Sequence, residues 1–592
     1  MKKISLIFLI LLFLNNYKLA QSNQIPASKQ SLSFTVPNVL SERDKKVYLE
    51  IYKHQIQGNW EELKKKIRLL DNKILLGYLE YDKLMHPNKY KASYDELSSW
   101  LLTYNDFPVV MKRRVYNLMI KRSSQKKKIS HKLQKPKYGN YLRGYGENKK
   151  YYRTTLKNQN QKKSFYITED ITNLITIQDF DKLLRYYLDN KDTQLDVVHY
   201  LQKDAEKKYF RGFIKESLNS YKFLENNINI KRPENFFKSG LIVFKLKDKN
   251  EASIYFNKCN EFISSSSNQH SPHLKAACLY WAAKVSSSKK AAKELYIKAT
   301  KFDRTMYGQL AIEKLKKKES FVWKKEKYET FTDNNNNILS LNSFQRLIAL
   351  SELNFYDKAD LEMRNLYSQL GKKNVKLLYH LSEKLDLAAV QIRLAETFYN
   401  KDNILFIRGI YPTPEWNLNT GFLFDKAFIY ALIRKESAFN LKAKSSKGAR
   451  GLMQLMPRTA SKIKKDHRLR YGNTHQLYSL DLNLELGQKL LKELVEDPNT
   501  KNQVLSTLIA YNAGITRVKK WNKTIDETDP LAFIESIPIK ETRMFVKEIL
   551  TDFWIYRDKL GQNKPSRAML ANDKWPIFSY QDFKIARDAK LR

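Results

Sequence analysis

The chain has 592 residues and carries 107 Lys and Arg against 62 Asp and Glu, for a formal net charge of +45. Its 17 glycines and 15 prolines are about 5% of the residues, where ordinary chains hold roughly 12%. Because β-sandwiches and barrels need such turn-formers at every hairpin, this composition argues against them. With 42% hydrophobic residues the chain can bury a real core, which excludes global disorder. We therefore expect an all-α protein.

The first twenty residues have the pattern of an export signal. Lys2 and Lys3 precede an apolar run at residues 4–14, and Ala20 is a small residue at a suitable cleavage position. The run is too short to span a bilayer comfortably, so an uncleaved anchor helix is the less favoured alternative. We therefore predict that residues 1–20 form a signal peptide and that the mature protein is exported and soluble.

From about residue 40 to 330 the sequence predicts one helix after another. Apolar residues recur at three- and four-residue spacing in several stretches, as on the buried face of a helix. The first four of these stretches are residues 43–56, 60–70, 74–85 and 94–104. Small residues then recur about 40 positions apart, from Ala252 to Ala292, which is typical of helix-hairpin repeats. Because such a hairpin cannot bury its apolar face alone, we expect stacked hairpins in a curved superhelix; an unrelated helical bundle is the alternative.

Changes in composition divide the chain into domains. Residues 121–165 hold 15 Lys and Arg against the single Glu147, as expected of a solvated basic connector. A polar linker lies at residues 333–337, and two prolines near residue 412 precede a new run. We predict the following parts: the signal peptide at 1–20, an α-superhelical domain at 21–330 that includes the basic connector 121–165, a helical linker domain at 331–404, and a C-terminal domain at 405–592.

One glutamate of the last domain has an unusual setting. Residues 425–436 read DKAFIYALIRKE, in which Asp425 predicts a helix N-cap and four apolar residues form one stripe. Glu436 falls on the same face at the helix C-terminus, where desolvation and the negative end of the helix dipole favour the protonated acid. A general acid for glycosidic cleavage needs this property. The alternative is a surface ion pair with Arg434 or Lys435.

Five motifs follow in order over about 110 residues. They are ESAFN at 436–440, A-x-S-x-x-GARGLMQLMP-x-TA at 443–460, N-x-x-x-G at 483–487, AYNAG at 510–514 and ESIP-x-x-ETR at 535–543. Together they resemble the soluble lytic murein transglycosylases. Looser similarities upstream include YLRGYGEN at 141–148 and MYGQLA at 306–311. The resemblance implies a ring-like superhelix of helix hairpins, a helical linker domain and a C-terminal, lysozyme-like, α-rich catalytic domain.

The resemblance also implies a mechanism with Glu436 as the single catalytic acid and base. Glu436 would protonate the glycosidic oxygen between N-acetylmuramic acid and N-acetylglucosamine, and its carboxylate would then deprotonate the muramyl 6-hydroxyl to close a 1,6-anhydro ring. The substrate's own acetamido oxygen would replace the second carboxylate that ordinary glycosidases use. Asp466, Asp481 and Glu485 remain candidates for the second acid of a two-acid hydrolase.

Substrate-binding residues follow from the same resemblance. Ser445, Gln454 and Met456 match residues that line the sugar subsites, Tyr511 matches a tyrosine beside the catalytic acid, and Glu535 matches a residue of the active-site wall. Without the resemblance, four residues would more often be part of the core: Met453, Leu455, Met456 and Tyr511. The glycines at 448 and 451 would let the backbone approach the glycan closely.

We therefore expect an exolytic peptidoglycan lytic transglycosylase that acts in cell-wall turnover in the periplasm. Its partner would be peptidoglycan glycan strands, with peripheral association with the cell wall, and we expect a monomer. No cofactor is expected, and no metal or nucleotide motif is present in the sequence. A lysozyme-type hydrolase and a non-catalytic glycan-binding scaffold are the alternatives. Nucleic-acid binding, which the charge alone would allow, is not expected because the chain has an export signal and no recognised module.

Overall fold

The computed structural model describes residues 36–123, 134–146, 167–228, 232–265, 270–323, 336–402, 406–525 and 527–582. Within these ranges the regular structure is helical, and β-pairing is limited to three isolated bridges. The expected all-α fold class is confirmed. None of the helices in this part of the chain is long and apolar enough to cross a membrane. The predicted signal peptide and most of the basic connector lie outside the described residues.

Fourteen helices precede residue 320 in the described ranges. They are α1 Glu42–Gln57, α2 Trp60–Ile67, α3 Leu76–Leu84, α4 Tyr94–Thr103, α5 Val109–Arg122, α6 Glu169–Ile177, α7 Phe180–Asp189, α8 Gln194–Arg211, α9 Ile214–Asn226, α10 Pro233–Lys245, α11 Lys249–Ser265, α12 Pro272–Val285, α13 Lys289–Thr300 and α14 Met306–Lys314. From α8 to α14, each helix packs against the next in sequence, which is the stacking expected of helix hairpins.

The remaining helices form the linker region and the C-terminal domain. They are α15 Asn336–Leu339, α16 Asn342–Glu352, α17 Tyr356–Leu370, α18 Val375–Lys384, α19 Ala388–Asp402, α20 Ile407–Ile410, α21 Lys426–Ser437, α22 Pro457–Lys464, α23 Arg468–Tyr471, α24 Leu480–Glu496, α25 Val504–Ala513, α26 Ile515–Thr524, α27 Pro530–Ser536, α28 Lys540–Lys559 and α29 Pro565–Ala571. The domain boundaries given above stay predictions.

Close helix crossings in the superhelix occur where the sequence has small residues. A Cβ on Gly240 of α10 would lie 2.6 Å from the ring of Phe256 on α11, so only glycine allows this approach. A disulfide between Cys259 and Cys278 then joins α11 to α12. Two cysteines are too few for a disulfide framework, and their spacing in the sequence does not reveal that neighbouring helices bring them together.

The first helices pack against the linker region, more than 200 residues later in sequence. The Glu352 carboxylate of α16 accepts backbone hydrogen bonds from Val39 and Leu40 at 2.9 and 3.0 Å. Tyr78 of α3 donates to Glu362 of α17 at 3.0 Å. These long-range contacts close the helical chain on itself, in agreement with the expected ring-like solenoid.

The C-terminal domain docks on the end of the superhelix. Helix α14 packs against both α28 and α29, and Arg567 of α29 pairs with Glu313 of α14 at 2.8 Å and donates to Gln309 at the same distance. Inside the domain, α21 packs along α28. This pair of helices carries the residues of the candidate site.

Candidate active site

Helix α21 ends at the glutamate that the sequence singles out. The Asp425 side chain accepts from the Phe428 amide at 3.3 Å and caps the helix, as predicted. The apolar stripe is fully buried; it consists of Phe428, Ile429, Leu432 and Ile433. The helix stops because Ala438 adopts a left-handed conformation with φ of 50°. Glu436 is thus the last residue but one of the helix and is only partly exposed.

The two basic neighbours of Glu436 pair with other carboxylates. Arg434 contacts Asp552 of α28 at 2.8 Å, and Lys435 forms an ion pair with Glu548, one turn earlier on that helix. The alternative of a surface ion pair between Glu436 and one of these residues is therefore wrong. Within the described part of the chain, no basic side chain forms an ion pair with the Glu436 carboxylate.

Burial decides the protonation of Glu436. Desolvation raises the pKa of its carboxyl group from 4.5 to about 7, partly opposed by the positive charge of Lys435 and reinforced by the negative charge of Glu541. Glu541 lies in the first turn of α28, within the ETR motif, and no local pattern in the sequence marks it as a neighbour of Glu436. At neutral pH the carboxyl group can therefore both donate and accept a proton.

Tyr511 lies close to Glu436 at the end of α25. Its hydroxyl donates to the carbonyl of Met453 at 2.7 Å. Burial raises the pKa of Tyr511 well above its usual value, and the negative charge of Glu436 raises it further. The next residue, Asn512, accepts a hydrogen bond from Thr542 of α28 at 2.7 Å. The AYNAG and ETR motifs therefore meet beside the glutamate, and the contact of Tyr511 with a substrate stays a prediction.

The segment between α21 and α22 is a hairpin-like loop. Ser445 accepts from the Ala449 amide through its hydroxyl at 3.0 Å, and the Gln454 side chain donates to two backbone carbonyls of the loop. Met456 is 42% exposed, whereas Met453 and Leu455 are buried. The core interpretation of this segment is thus correct for two of its apolar residues, and Met456 is free to contact a ligand.

The N-x-x-x-G motif supports this loop from α24. The Asn483 amide accepts from the Met453 backbone at 2.8 Å and donates to the carbonyls of Arg450 and Leu477. A Cβ on Gly451 would collide with Asn483 and Leu477. Gly451 is therefore required by the packing of the loop against α24, and the approach of the glycan to the backbone at 448 and 451 stays a prediction.

Glu535 occupies a buried position between the superhelix and the C-terminal domain. It is only 2% exposed, accepts from the Tyr307 hydroxyl at 2.7 Å and pairs with Lys547 at 2.5 Å. Burial would raise its pKa, but the charges of Lys547, Lys238 and Arg543 outweigh this effect and lower the pKa. These contacts already engage the Glu535 carboxylate. Its role in substrate binding stays a prediction.

The three candidate second acids have other partners. Asp466 pairs with Arg468 at 2.9 Å, Asp481 accepts from the Asn419 amide at 2.9 Å, and Glu485 pairs with Lys489 at 2.6 Å. The acidic charge that raises the pKa of Glu436 is instead that of Glu541. No group of three or more His, Cys, Asp or Glu side chains within the described ranges is arranged to hold a metal ion.

The fold and the site define a class: an α-helical superhelix joined to a lysozyme-like domain that carries a partly buried, protonatable glutamate. Residues 419–534 match the model of the Transglycosylase SLT domain family. The resemblance recognised from the motifs is confirmed.

Two relatives are 36% identical to this chain over about a quarter of its length. The soluble lytic murein transglycosylase of Salmonella typhimurium matches over 153 residues, which is 26% of this chain and 23% of the relative. The Escherichia coli K12 protein of the same name matches over 152 residues. The aligned part thus spans less than a quarter of these relatives.

The crystal structure of the 70 kDa soluble lytic transglycosylase of E. coli superposes with a TM-score of 0.55 at 15% identity, covering 91% of this chain and 100% of that one. That likeness shows a shared fold over 91% of this chain.

Proposed function

We propose that this protein is a lytic murein transglycosylase that cleaves the β-1,4 bond between N-acetylmuramic acid and N-acetylglucosamine. The observation that carries the proposal is the Glu436 carboxyl group, which has a pKa of about 7 and no basic ion-pair partner among the described residues. It ends a buried helix within a Transglycosylase SLT domain. An acid with a pKa near the working pH can transfer a proton in both directions.

The reaction uses Glu436 twice. Its protonated carboxyl group gives a proton to the glycosidic oxygen, and the bond to the muramyl C1 breaks. The acetamido oxygen of the substrate stabilises the cationic centre in place of a second carboxylate. The Glu436 carboxylate then takes the proton of the muramyl 6-hydroxyl, whose oxygen bonds to C1. The product end is 1,6-anhydro-N-acetylmuramic acid, and Glu436 is protonated again.

The surrounding residues have supporting roles in this proposal. Tyr511, held against the Met453 carbonyl, contacts the acetamido group or the acid itself. Ser445, Gln454 and the exposed Met456 line the sugar subsites beside Glu436. The closed superhelix limits access to strand ends, which supports exolytic action in cell-wall turnover. The net charge of +45 supports peripheral association of a periplasmic monomer with the carboxylates of peptidoglycan.

Replacing Glu436 tests the proposal. Glu436→Gln keeps the shape of the side chain and removes the titrating proton, so release of muropeptides from purified sacculi should fall by about a thousandfold. Glu485→Gln, which changes an acid of the same domain that pairs with Lys489, should leave release within about twofold of the wild type. Undiminished release by Glu436→Gln would overturn the mechanism.

Mass spectrometry of the products separates the remaining alternatives. Anhydro ends support the transglycosylase. Reducing-end muramic acid would instead indicate a lysozyme-type hydrolase, with Glu541 as the second acid because its charge reaches Glu436. A wild-type protein that binds sacculi and releases nothing would indicate a non-catalytic scaffold.

A further inference from the structure

One extended segment contacts the superhelix, the linker region and the C-terminal domain in turn. We call residues 134–146 the strap. It begins on the superhelix, where Arg113 of α5 donates to the carbonyl of Pro136 at 2.8 Å. The guanidinium groups of Arg113 and Arg143 lie over the ring of Tyr138, at 4.7 and 4.0 Å from its centre. These cation–π contacts fix the start of the strap.

Two arginines of the linker region hold the other half of the strap by its backbone. Arg364 of α17 donates to the carbonyls of Leu142 and Gly144 at 2.9 and 2.7 Å. Arg393 of α19 donates to the carbonyls of Arg143 and Gly146 at 3.0 and 3.4 Å. Each guanidinium also pairs with a carboxylate of its own helix, Asp360 and Glu396 respectively. Because four backbone carbonyls of the strap are held by paired side chains, its path is rigidly defined.

The strap ends against the turn that follows Glu436. A Cβ placed on Gly146 would lie 3.0 Å from the Cβ of Ala438. Ala438 and Phe439 both have left-handed backbones, with φ of 50° and 62°. Such conformations are costly for residues other than glycine and persist only where surrounding structure supports them. This turn terminates α21 and begins two residues after Glu436.

We propose that the strap is a positioning element for Glu436, which supports the Ala438–Phe439 turn and thereby holds the carboxyl group in its reactive orientation. The inference rests on the proposed function for its effect on rate, but its effect on the turn is independent of that function. Through the strap, the superhelix and the linker region act on the site without touching the substrate.

Three glycines of the strap provide a matched test. Gly139 and Gly146 both have positive φ, 51° and 71°, so an alanine costs backbone strain at either position. The new methyl group has open space at Gly139, but at Gly146 it presses on Ala438. Gly144→Ala is intermediate, since its nearest neighbour is Arg393 at 3.7 Å. We expect Gly146→Ala to lower kcat by about tenfold, because small displacements of reacting groups have large effects on rate. Its KM should stay within about twofold, and Gly139→Ala should change neither value.

Amide hydrogen exchange provides a readout that needs no activity. The Ala438 amide donates to the Arg434 carbonyl at 3.2 Å, and the Asn440 amide donates to the Ser437 carbonyl at 3.0 Å. Both amides should exchange faster in Gly146→Ala than in the wild type and in Gly139→Ala. The two variants should have equal melting temperatures, so that the difference in exchange reports the turn and not global stability. Exchange rates and kcat that match those of Gly139→Ala would overturn the strap proposal. A wild type without lytic activity would overturn the proposed function alone, and the exchange comparison would still decide whether the strap supports the turn.

Discussion

Burial of the Glu436 carboxyl group raises its pKa and also lowers the stability of the fold. The carboxyl group has a pKa of about 7 in the folded protein, against a reference value of 4.5. A raised folded-state pKa means that the folded protein binds the proton more tightly than the unfolded chain does. The stabilisation from this proton is complete below pH 4.5 and is lost as the pH rises through 7. Folding at higher pH must therefore bury a charge.

Glu436→Gln should be more stable than the wild type in alkaline solution. The glutamine is neutral at every pH, so the variant avoids the burial of a charge. The gain should be about 3 kcal/mol at pH 8 and should nearly vanish at pH 4, where both side chains are neutral. Urea unfolding at the two pH values measures the difference. A gain that is the same at both would mean that the carboxyl group is not desolvated.

Among the elements, helix α24 supports the loop between α21 and α22. Asn483 uses its side-chain amide to bind three backbone groups of the loop and of the segment before the helix. At Gly487, one turn later, the Met453 side chain occupies the space that an added Cβ would need. The spacing of four in N-x-x-x-G places both residues on one face of the helix. The motif is therefore a packing device beneath the loop that carries Gln454 and Met456.

Gly487→Ala should destabilise the protein by about 2 kcal/mol, because an added methyl group overpacks the contact with Met453. Gly472→Ala is the matched control, since its Cβ would meet nothing within 4 Å and its φ is −101°. We expect the control to lie within about 0.5 kcal/mol of the wild type. Equilibrium unfolding in urea provides both values. Equal stability of the two variants would contradict this account of the motif.

Elements with local signals were predictable from the sequence, and contacts between distant elements were not. Helix α1 was predicted at residues 43–56 and is observed at Glu42–Gln57, because its apolar periodicity and its Ser41 cap are local. The setting of Glu436 followed from the same kind of pattern. The pairing of Lys435 with Glu548, across 113 residues, and the contact of Gly146 with Ala438 have no local signature, since they depend on how α28 and the strap pack.

In the whole molecule, the ESIP segment joins the superhelix to the C-terminal domain. Ser536 forms a hydrogen bond with the hydroxyl of Tyr209 on α8 at 2.9 Å, and Glu535 accepts from Tyr307 on α14. Lys245 of α10 pairs with Glu527 at 2.8 Å. The ESIP motif, in which Glu535 matches a residue of an active-site wall, thus makes contacts between the domains. Helix α28 carries both Lys547, which pairs with Glu535, and Glu541, whose charge acts on Glu436. The site therefore depends on the superhelix through α28.

Glu535→Gln tests whether this carboxylate holds the domains together or binds substrate. Lys547, Lys238 and Arg543 keep Glu535 ionised by lowering its pKa below the usual range. Its contribution to stability is present above pH 4.5 and is lost as the pH falls through the lowered pKa. At pH 7 the substitution leaves buried cations without their partner, and we expect a loss of about 3 kcal/mol in the free energy of unfolding.

Tyr307→Phe is the control for Glu535→Gln, because it removes one donor to the carboxylate, together with the acceptor of the Trp281 indole N–H, and leaves the ion pair with Lys547 in place. Its loss should be about 1.5 kcal/mol. Urea unfolding of both variants at pH 7, together with KM for a glycan strand, separates the two roles. A structural Glu535 lowers stability and leaves KM unchanged. If Glu535→Gln instead raises KM while keeping wild-type stability, the carboxylate acts on the substrate, and the joint between the domains rests on the remaining contacts of the ESIP segment.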